Sequence, residues 1–395
     1  MKTNFAIVVL LASTPGVASA QTYAGGITVN QRAVATALNT QVGVPNADRI
    51  ALNAAFLALP VVDRPVALSS LTPSAYSLLP DVSLNAVETQ ETGVLRYLRD
   101  LRGNAERPSG EKVTLDEAGR VGMFVSGNAR FGKYKADVDR PEVQNDEYGV
   151  MGGIDFRASP KILLGVYGGY SVTDAKFSGG GVDAPSRNNA WYAGGYATGA
   201  VGPLYVDLWG GYTDLDWTLA RGSAFGVAKA STGGHIWSAG GSTGLSFSAG
   251  NFEIEPFAAL RYSKIKIDGF TETGSINALN VGRIDAESLR LNLGGRIGTK
   301  FETAGGAVVR PQLRGGWFKE FELDDARTYN ASFINPGAAT PFTFTTTPLS
   351  SEYYNAGAAL NVAGGGPLSF AVDYDVKFDK EREFHALSIS GRLKF

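Results

Sequence analysis

Few residues in this 395-residue chain are equipped for catalysis. There is no cysteine and there are two histidines, His235 and His385. A zinc site would have to rely heavily on carboxylates, and neither a nucleophilic thiol nor a disulfide is available. No Gly-x-Ser-x-Gly turn is present to raise a serine nucleophile above a sheet. Asp214, Asp216 and His235 could polarise a water molecule if they met at one rim of the molecule, but they read as solvated rim residues. Gly240-Gly241-Ser242-Thr243-Gly244 sits within an extended stretch with no helix after it, so it lacks the context of a phosphate loop. No catalytic, metal or cofactor site is assigned, and the chain is not expected to be an enzyme. The charged residues with the most regular spacing are Arg96, Arg99 and Arg102, three apart and largely on one helical face. Arginines so spaced make either a solvated basic face on a linker helix or a stripe that docks on carboxylates. The near balance of 36 basic and 38 acidic residues argues against a nucleic-acid partner.

Those arginines lie in the first of two regions of different periodicity. Before Gly110 the spacing is helical. Asn30 is placed to cap a run ending near Gln41, and Asn46 a second run that Pro60 ends. A third helix is expected over 83–102, with Gly93 as its weak point, and Pro60, Pro65, Pro73 and Pro80 make the stretch between a jointed linker.

After Gly119 nearly everything alternates. Twelve strand-like segments follow: 120–132, 147–158, 162–174, 188–200, 204–219, 234–249, 252–268, 285–303, 307–323, 352–363, 368–378 and 384–395. In 368–378, Leu368, Phe370, Val372, Tyr374, Val376 and Phe378 form one face; Asp373, Asp375 and Lys377 lie on the other. Short turns such as Gly202-Pro203 and Gly250-Asn251 alternate with longer polar loops near 133–146, 175–187, 220–233, 269–284 and 324–351. A soluble β-sandwich would alternate too, but its strands are usually about 5–6 residues long. A tilted membrane strand needs about 9–11, and every segment here reaches that length. Glycine, at 50 residues, and 42 aromatic residues suit a barrel wall, where small side chains relieve lumen crowding and rings sit at the lipid boundary. The expected fold is therefore all-β: a twelve-stranded antiparallel transmembrane β-barrel preceded by a short helical linker or plug.

The two ends carry addresses. Lys2, the apolar run Phe5–Ala12 and Ala18-Ser19-Ala20 make an export signal cleaved between Ala20 and Gln21, too short to span a bilayer, which takes about 20 apolar residues. At the other end, Leu387, Ile389, Leu393 and the terminal Phe395 share one face. That pattern resembles the C-terminal signature of chains handed to the outer-membrane barrel-insertion machinery, whose physical logic is capture of an exposed strand edge.

The order of signal, helical linker, twelve strands and terminal Phe resembles the autotransporter β-domain (type V secretion) over 68–395. Leu68-Ser69-Ser70-Leu71-Thr72-Pro73-Ser74-Ala75-Tyr76 is similar to the segment that family places before its helix, and Asn30-Gln31-Arg32-Ala33-Val34-Ala35 to the end of its passengers. The resemblance implies a signal peptide at 1–20, a short passenger and linker at 21–110, an outer-membrane barrel at 111–395, and a helix threaded through the lumen over Asn85–Arg102. Its span of about 27 Å suits an apolar band about 25 Å tall. Arg96, Arg99 and Arg102 are then expected to dock that helix against the lumen acids Asp207, Glu253, Glu255, Asp373 and Asp375. Only about 50 residues separate Gln21 from Leu68, and they contain no strand repeat of solenoid type. The expected function is a translocator or anchor barrel with little passenger, in the outer membrane of a Gram-negative bacterium. Its partners would be lipid, the insertion machinery and its own N-terminal segment in the pore. The alternative is a structural or adhesive barrel, or a passive pore, acting through its external loops.

Overall fold

The computed structural model describes residues 23, 26–40, 45–104, 120–179, 182–250, 252–323, 325–334, 340–364 and 367–394. The expected cleavage site at Ala20 and Gln21, and the terminal Phe395, lie outside these residues. Twelve strands form the wall: β1 (Val121–Tyr134), β2 (Glu142–Ser159), β3 (Ile162–Gly179), β4 (Val182–Val201), β5 (Leu204–Ser223) and β6 (Gly226–Leu245). They continue with β7 (Phe252–Ile267), β8 (Ile284–Thr299), β9 (Val308–Glu320), β10 (Glu352–Ala363), β11 (Leu368–Phe378) and β12 (Arg382–Lys394). Each pairs antiparallel with its sequence neighbours, and β12 returns to β1 with Gly391 opposite Val125. Closure leaves no wall edge with unpaired backbone groups, as a lipid environment demands. Every one of the twelve alternating segments is a wall strand.

The strands are longer than the bilayer needs. β4, β5 and β6 each run to 20 residues, about twice a membrane-spanning length. The surplus shows as an exchange of polarity along an unbroken strand. On β5, Leu204, Val206 and Leu208 face outward and are 43–56% exposed, while Tyr205, Asp207 and Trp209 face the lumen. Further up, the outward residues are Asp214, Asp216 and Thr218, and the inward ones are the buried Leu215, Trp217 and Leu219. Outward rings at Tyr148, Trp191, Trp237 and Tyr354 mark the level of the change. Below it the wall meets acyl chains; above it the strands stand in water as a crown with an apolar interior.

This exchange accounts for two departures from the sequence reading. The stretches 175–187 and 220–233 are not loops but hairpin ends, paired as far as Gly179 with Val182 and Ser223 with Gly226. The excursions at 269–284 and 324–351 supply a second sheet of four short strands, ordered Pro341–Thr345, Thr328–Phe333, Leu279–Val281 and Phe270–Thr271.

Inside the crown lie α1 (Val29–Asn39), α2 (Ala47–Ala58) and α3 (Arg64–Ser70), followed by a 3-10 turn at Pro73–Tyr76 and the long α4 (Leu79–Asn104). Thr28, not Asn30, caps α1, in a reciprocal box with Gln31. Asn30 instead clamps the edge of the second sheet: its Nδ2 donates to the Thr345 carbonyl at 2.8 Å and its Oδ1 accepts from the Thr345 amide at 2.9 Å. Asn46 caps α2 as expected. The α4 helix begins six residues before the expected Asn85, because Pro80 falls in its first turn, where a missing N–H costs nothing. Val34, Leu38, Leu52, Phe56, Leu68 and Leu71 are buried in one apolar core with Trp217, Leu219, Ile265, Ile267, Phe333 and Phe344. The upper part of the core is thus shared between the helical cap and the crown above the membrane, and the same cluster continues down α4 through Val94, Tyr97 and Leu98 to Phe124 and Tyr196 of the wall.

Candidate functional site

The candidate site is the lumen, which α4 enters from the crown and follows toward the opposite rim. Near its start, Trp217 of β5 donates to Ser83 Oγ at 3.3 Å; near its end, Arg102 meets Asp207 near the foot of β5. Gly93 lies where the wall comes closest, since a methyl group there would overlap the Met151 side chain of β2. A larger residue at this position would fit only if the end of the Met151 side chain moved aside.

In its C-terminal half, α4 presents arginines to wall carboxylates. Arg96 Nε lies 3.0 Å from Asp373 Oδ2 and its Nη2 lies 4.0 Å from Asp375. Arg99 Nη2 is 3.2 Å from Asp373 Oδ1, and Arg102 Nη1 is 2.6 Å from Asp207 Oδ1. The Arg102 guanidinium also stacks 3.7 Å above the Tyr205 ring. Three of the five expected acids therefore touch the stripe. Glu255 instead pairs with Arg296 of the wall and accepts from the Tyr205 hydroxyl at 2.8 Å. Glu253 lines a cavity beside Arg99 and Arg102 at the lower end.

Sequence reasoning missed the complementary half. One turn and more above the arginines, Glu88 and Glu91 of α4 face wall bases. Arg290 reaches Glu91 at 2.7 Å and Glu88 at 3.5 Å; Arg261 reaches Glu91 at 3.0 Å; Arg130 reaches Glu88 at 3.5 Å; and Lys377 also binds Glu88. The signal was available, because Glu88 and Glu91 are three apart, as the arginines are, and Arg290 and Lys377 alternate onto the lumen face. In a third set of contacts the helix contributes uncharged polar side chains. Gln90 donates to Thr213 Oγ1 at 2.7 Å, Thr89 donates to Glu147 at 2.9 Å, and Tyr97 stacks on Phe124 at 4.2 Å while its hydroxyl binds Asp155. Polar side chains along both halves of the helix meet complementary groups on the wall, which sets its height and rotation.

Above the lumen, a buried group joins cap to crown. Arg221 of β5 places Nε 2.8 Å from Glu272 Oε1 and Nη2 2.6 Å from Oε2, and its Nη1 donates to the Ser70 carbonyl at 2.8 Å. The Tyr76 hydroxyl donates to the same carboxylate at 2.5 Å. Burial, with the Glu272 charge beside it, holds the Tyr76 hydroxyl well above its ordinary pKa. Asp214 and His235 are register partners on the outward, water-facing side of the crown, remote from the lumen, with Asp216 on the same face. Among the described residues no cluster of acids and histidines could hold a metal ion.

The family described as autotransporter beta-domain matches residues 123–375, more than half of the chain. An uncharacterized protein from a trpE-trpG intergenic region of Pseudomonas putida is 28% identical over 50% of this chain and 33% of its own length. An extracellular serine protease of Serratia marcescens is 24% identical over 69% of this chain and 27% of its own. The chain thus spans about a third or less of these curated relatives. Among solved structures, the translocator domain of the autotransporter NalP from Neisseria meningitidis superposes with a TM-score of 0.57 at 14% identity, over 80% of this chain and 99% of that one.

Proposed function

Because this chain belongs to the autotransporter β-domain family, outer-membrane barrels of Gram-negative bacteria that engage a passenger and the insertion machinery, we propose that it retains its own exported segment as a fixed surface cap. In this reading residues 29–76 are cargo that is displayed and held. The observation that carries the proposal is the apolar core shared by α1, α2 and α3 with the inner face of the crown. Burying one leucine- or phenylalanine-sized side chain contributes about 1.5–3 kcal/mol, and α1, α2 and α3 together bury Val34, Leu38, Leu52, Phe56 and Leu68 at 0–1% exposure. A released passenger would leave those residues and the crown's Trp217 in water. In the same reading Arg96, Arg99 and Arg102 fasten α4 through Asp373, Asp375 and Asp207, with Glu253 and Glu255 flanking its lower end. The barrel domain of this family is not itself an enzyme.

The natural absence of cysteine makes a direct test clean. Val62 is 80% exposed on the cap and Leu68 is fully buried. Val62→Cys is expected to react with a membrane-impermeant maleimide on intact cells, and Leu68→Cys to stay unlabelled until the protein is denatured. Labelling of Val62→Cys only after the outer membrane is permeabilised would place the cap on the wrong side and end the proposal.

The same reading gives the chain's last strand a role in assembly. Leu387 and Ile389 are outward-facing and 44% and 56% exposed, as the edge offered to an insertion machine before closure would be. Leu393 and Phe395 complete the apolar set in sequence. Replacing Phe395 by Ser is expected to lower the amount of heat-modifiable barrel in outer-membrane fractions several-fold. An unchanged amount refutes the assignment.

A further inference from the structure

The lumen is not filled evenly. α4 leans on β1, β2, β4, β5 and β6, where Gly93 nests against Met151 and Tyr97 against Phe124. The other side, facing β7 to β12 and reaching round to β1, is bridged by long side chains and holds three cavities in line. The upper measures about 40 Å³, the central about 150 Å³ and the lower about 50 Å³. The upper and central cavities share Glu88, Arg290, Lys377 and Phe384; the central and lower share Arg99. The lower one extends to Thr299, the last residue of β8 at the periplasmic rim.

The walls of this series require water. Buried Asn292 Oδ1, Asn355 Oδ1, Asn128 Oδ1 and Ser388 Oγ line the central cavity without a protein partner, as do Gln312 Oε1 and Asn361 Oδ1 in the lower one. Buried polar atoms in native proteins are satisfied by protein or water, and a water needs only about 10–15 Å³ of such space. The central cavity therefore accommodates several waters. Seven basic side chains line it, against the carboxylates of Glu88, Glu91 and Asp375. The carboxylates that balance the remaining bases stand behind them rather than on the cavity wall: Asp373 for Arg96, Arg99 and Arg314, Asp100 for Arg99, Glu147 for Arg130 and Glu255 for Arg296.

We infer that the helix-filled barrel keeps a water-lined side path, bounded by α4, by β7 to β12 and by β1, that passes small hydrated anions and is closed at its outer end by segment 346–351. Leu349 and Ser350 roof the upper cavity. The segment is tied down by Arg140, whose Nη1 donates to the Pro348 carbonyl at 2.8 Å and the Thr347 carbonyl at 3.3 Å and whose Nη2 pairs with Glu381 at 3.4 Å. Arg382 holds the Ser350 carbonyl from the adjacent turn. The function goes beyond anchoring a cap and rests on the barrel fold and α4 alone.

The full chain, reconstituted in planar bilayers under a potassium chloride gradient, tests it. A small conductance with a reversal potential on the chloride side is expected, and Arg140→Ala should raise the fraction of time spent open. Asn292→Asp and Asn355→Asp, each adding a charge at the path without removing an ion pair, should each shift the reversal potential toward potassium. A short thiol-to-thiol cross-linker joining Cys substituted at Gln90 and at Thr213, whose side chains touch in the native protein, ties α4 to β5. Conductance that persists in the cross-linked form supports a path beside the helix; conductance abolished by the cross-link means the helix leaves the pore, and overturns it. Silent bilayers from heat-modifiable, folded protein, Arg140→Ala included, overturn it as well, as does a reversal potential that neither asparagine substitution moves. None of these outcomes bears on whether the cap is displayed.

Discussion

Replacing Asp373 with alanine is expected to cost the barrel about 3–5 kcal/mol, the range for removing one partner of a buried ion pair. The carboxylate receives Arg96 and Arg99 from α4 and Arg314 from β9, the last at 2.8 Å. Without it three guanidiniums share a buried space, with Asp100 left for Arg99 and Asp375 for the other two. Asp375 can compensate only in part. It already takes Arg314 in a two-pronged pair at 2.8 and 2.5 Å, and Arg96 reaches it only at 4.0 Å. The loss should appear as a lower midpoint of thermal unfolding in detergent, followed by the gel shift of the closed barrel. Asp373→Asn, which keeps the shape and one acceptor oxygen, should lose less. Pairing Arg96→Ala with Asp373→Ala should be less damaging than the two losses added, because residues sharing one network do not act independently. A midpoint within error of the parent for Asp373→Ala would remove the ion-pair account of how α4 is held.

The wall was legible because lipid and lumen impose opposite demands on alternate residues. Leu368, Phe370 and Val372 against Asp373 and Asp375 state both the strand and its orientation in one short stretch, and the bilayer enforces that pattern at every strand. The crown was not legible for the same reason. Once a strand leaves the lipid its faces exchange chemistry, so 204–219 reads as strand past Asp214, Asp216 and Thr218, but its continuation to Ser223 and the return from Gly226 read as a loop. Polarity summed over a window sees a polar stretch; only the phase of the apolar residues shows that the strand continues. The arginine stripe was found because three like charges at helical spacing need partners. Glu88 and Glu91 were passed over because matching them to Arg290, Arg261 and Lys377 requires the height of each residue in the barrel, which only a register supplies. The union of cap and crown was invisible, since Tyr76 and Glu272 meet across 196 residues of sequence.

That union adds one fully buried pair to the apolar core, and Arg221→Ala is expected to loosen it. Arg221 is 2% exposed and Glu272 0%; besides the two-pronged contact, Arg221 Nη1 holds the Ser70 carbonyl and Nη2 the Asn277 carbonyl at 2.9 Å. The residue thus joins the upper end of β5, the end of α3 and the second sheet. Truncating it leaves a buried carboxylate with the Tyr76 hydroxyl and the Leu279 amide as its remaining donors. The expected cost is again about 3–5 kcal/mol, but it falls on the cap, because α4 keeps its own ion pairs lower down. On intact cells, residues 29–76 should become sensitive to added protease while the heat-modifiable barrel persists undiminished. Arg221→Lys should not restore resistance, since one ammonium cannot span two carboxylate oxygens and two carbonyls. The Tyr76 bond sets the pH range. Its hydroxyl titrates above the ordinary tyrosine value, so the contribution is complete below about pH 10 and is lost only as pH rises through the raised value. Protease sensitivity of the parent should therefore not vary from this source across neutral pH, and a cap equally resistant in the parent and in Arg221→Ala would show that the apolar core alone keeps it seated.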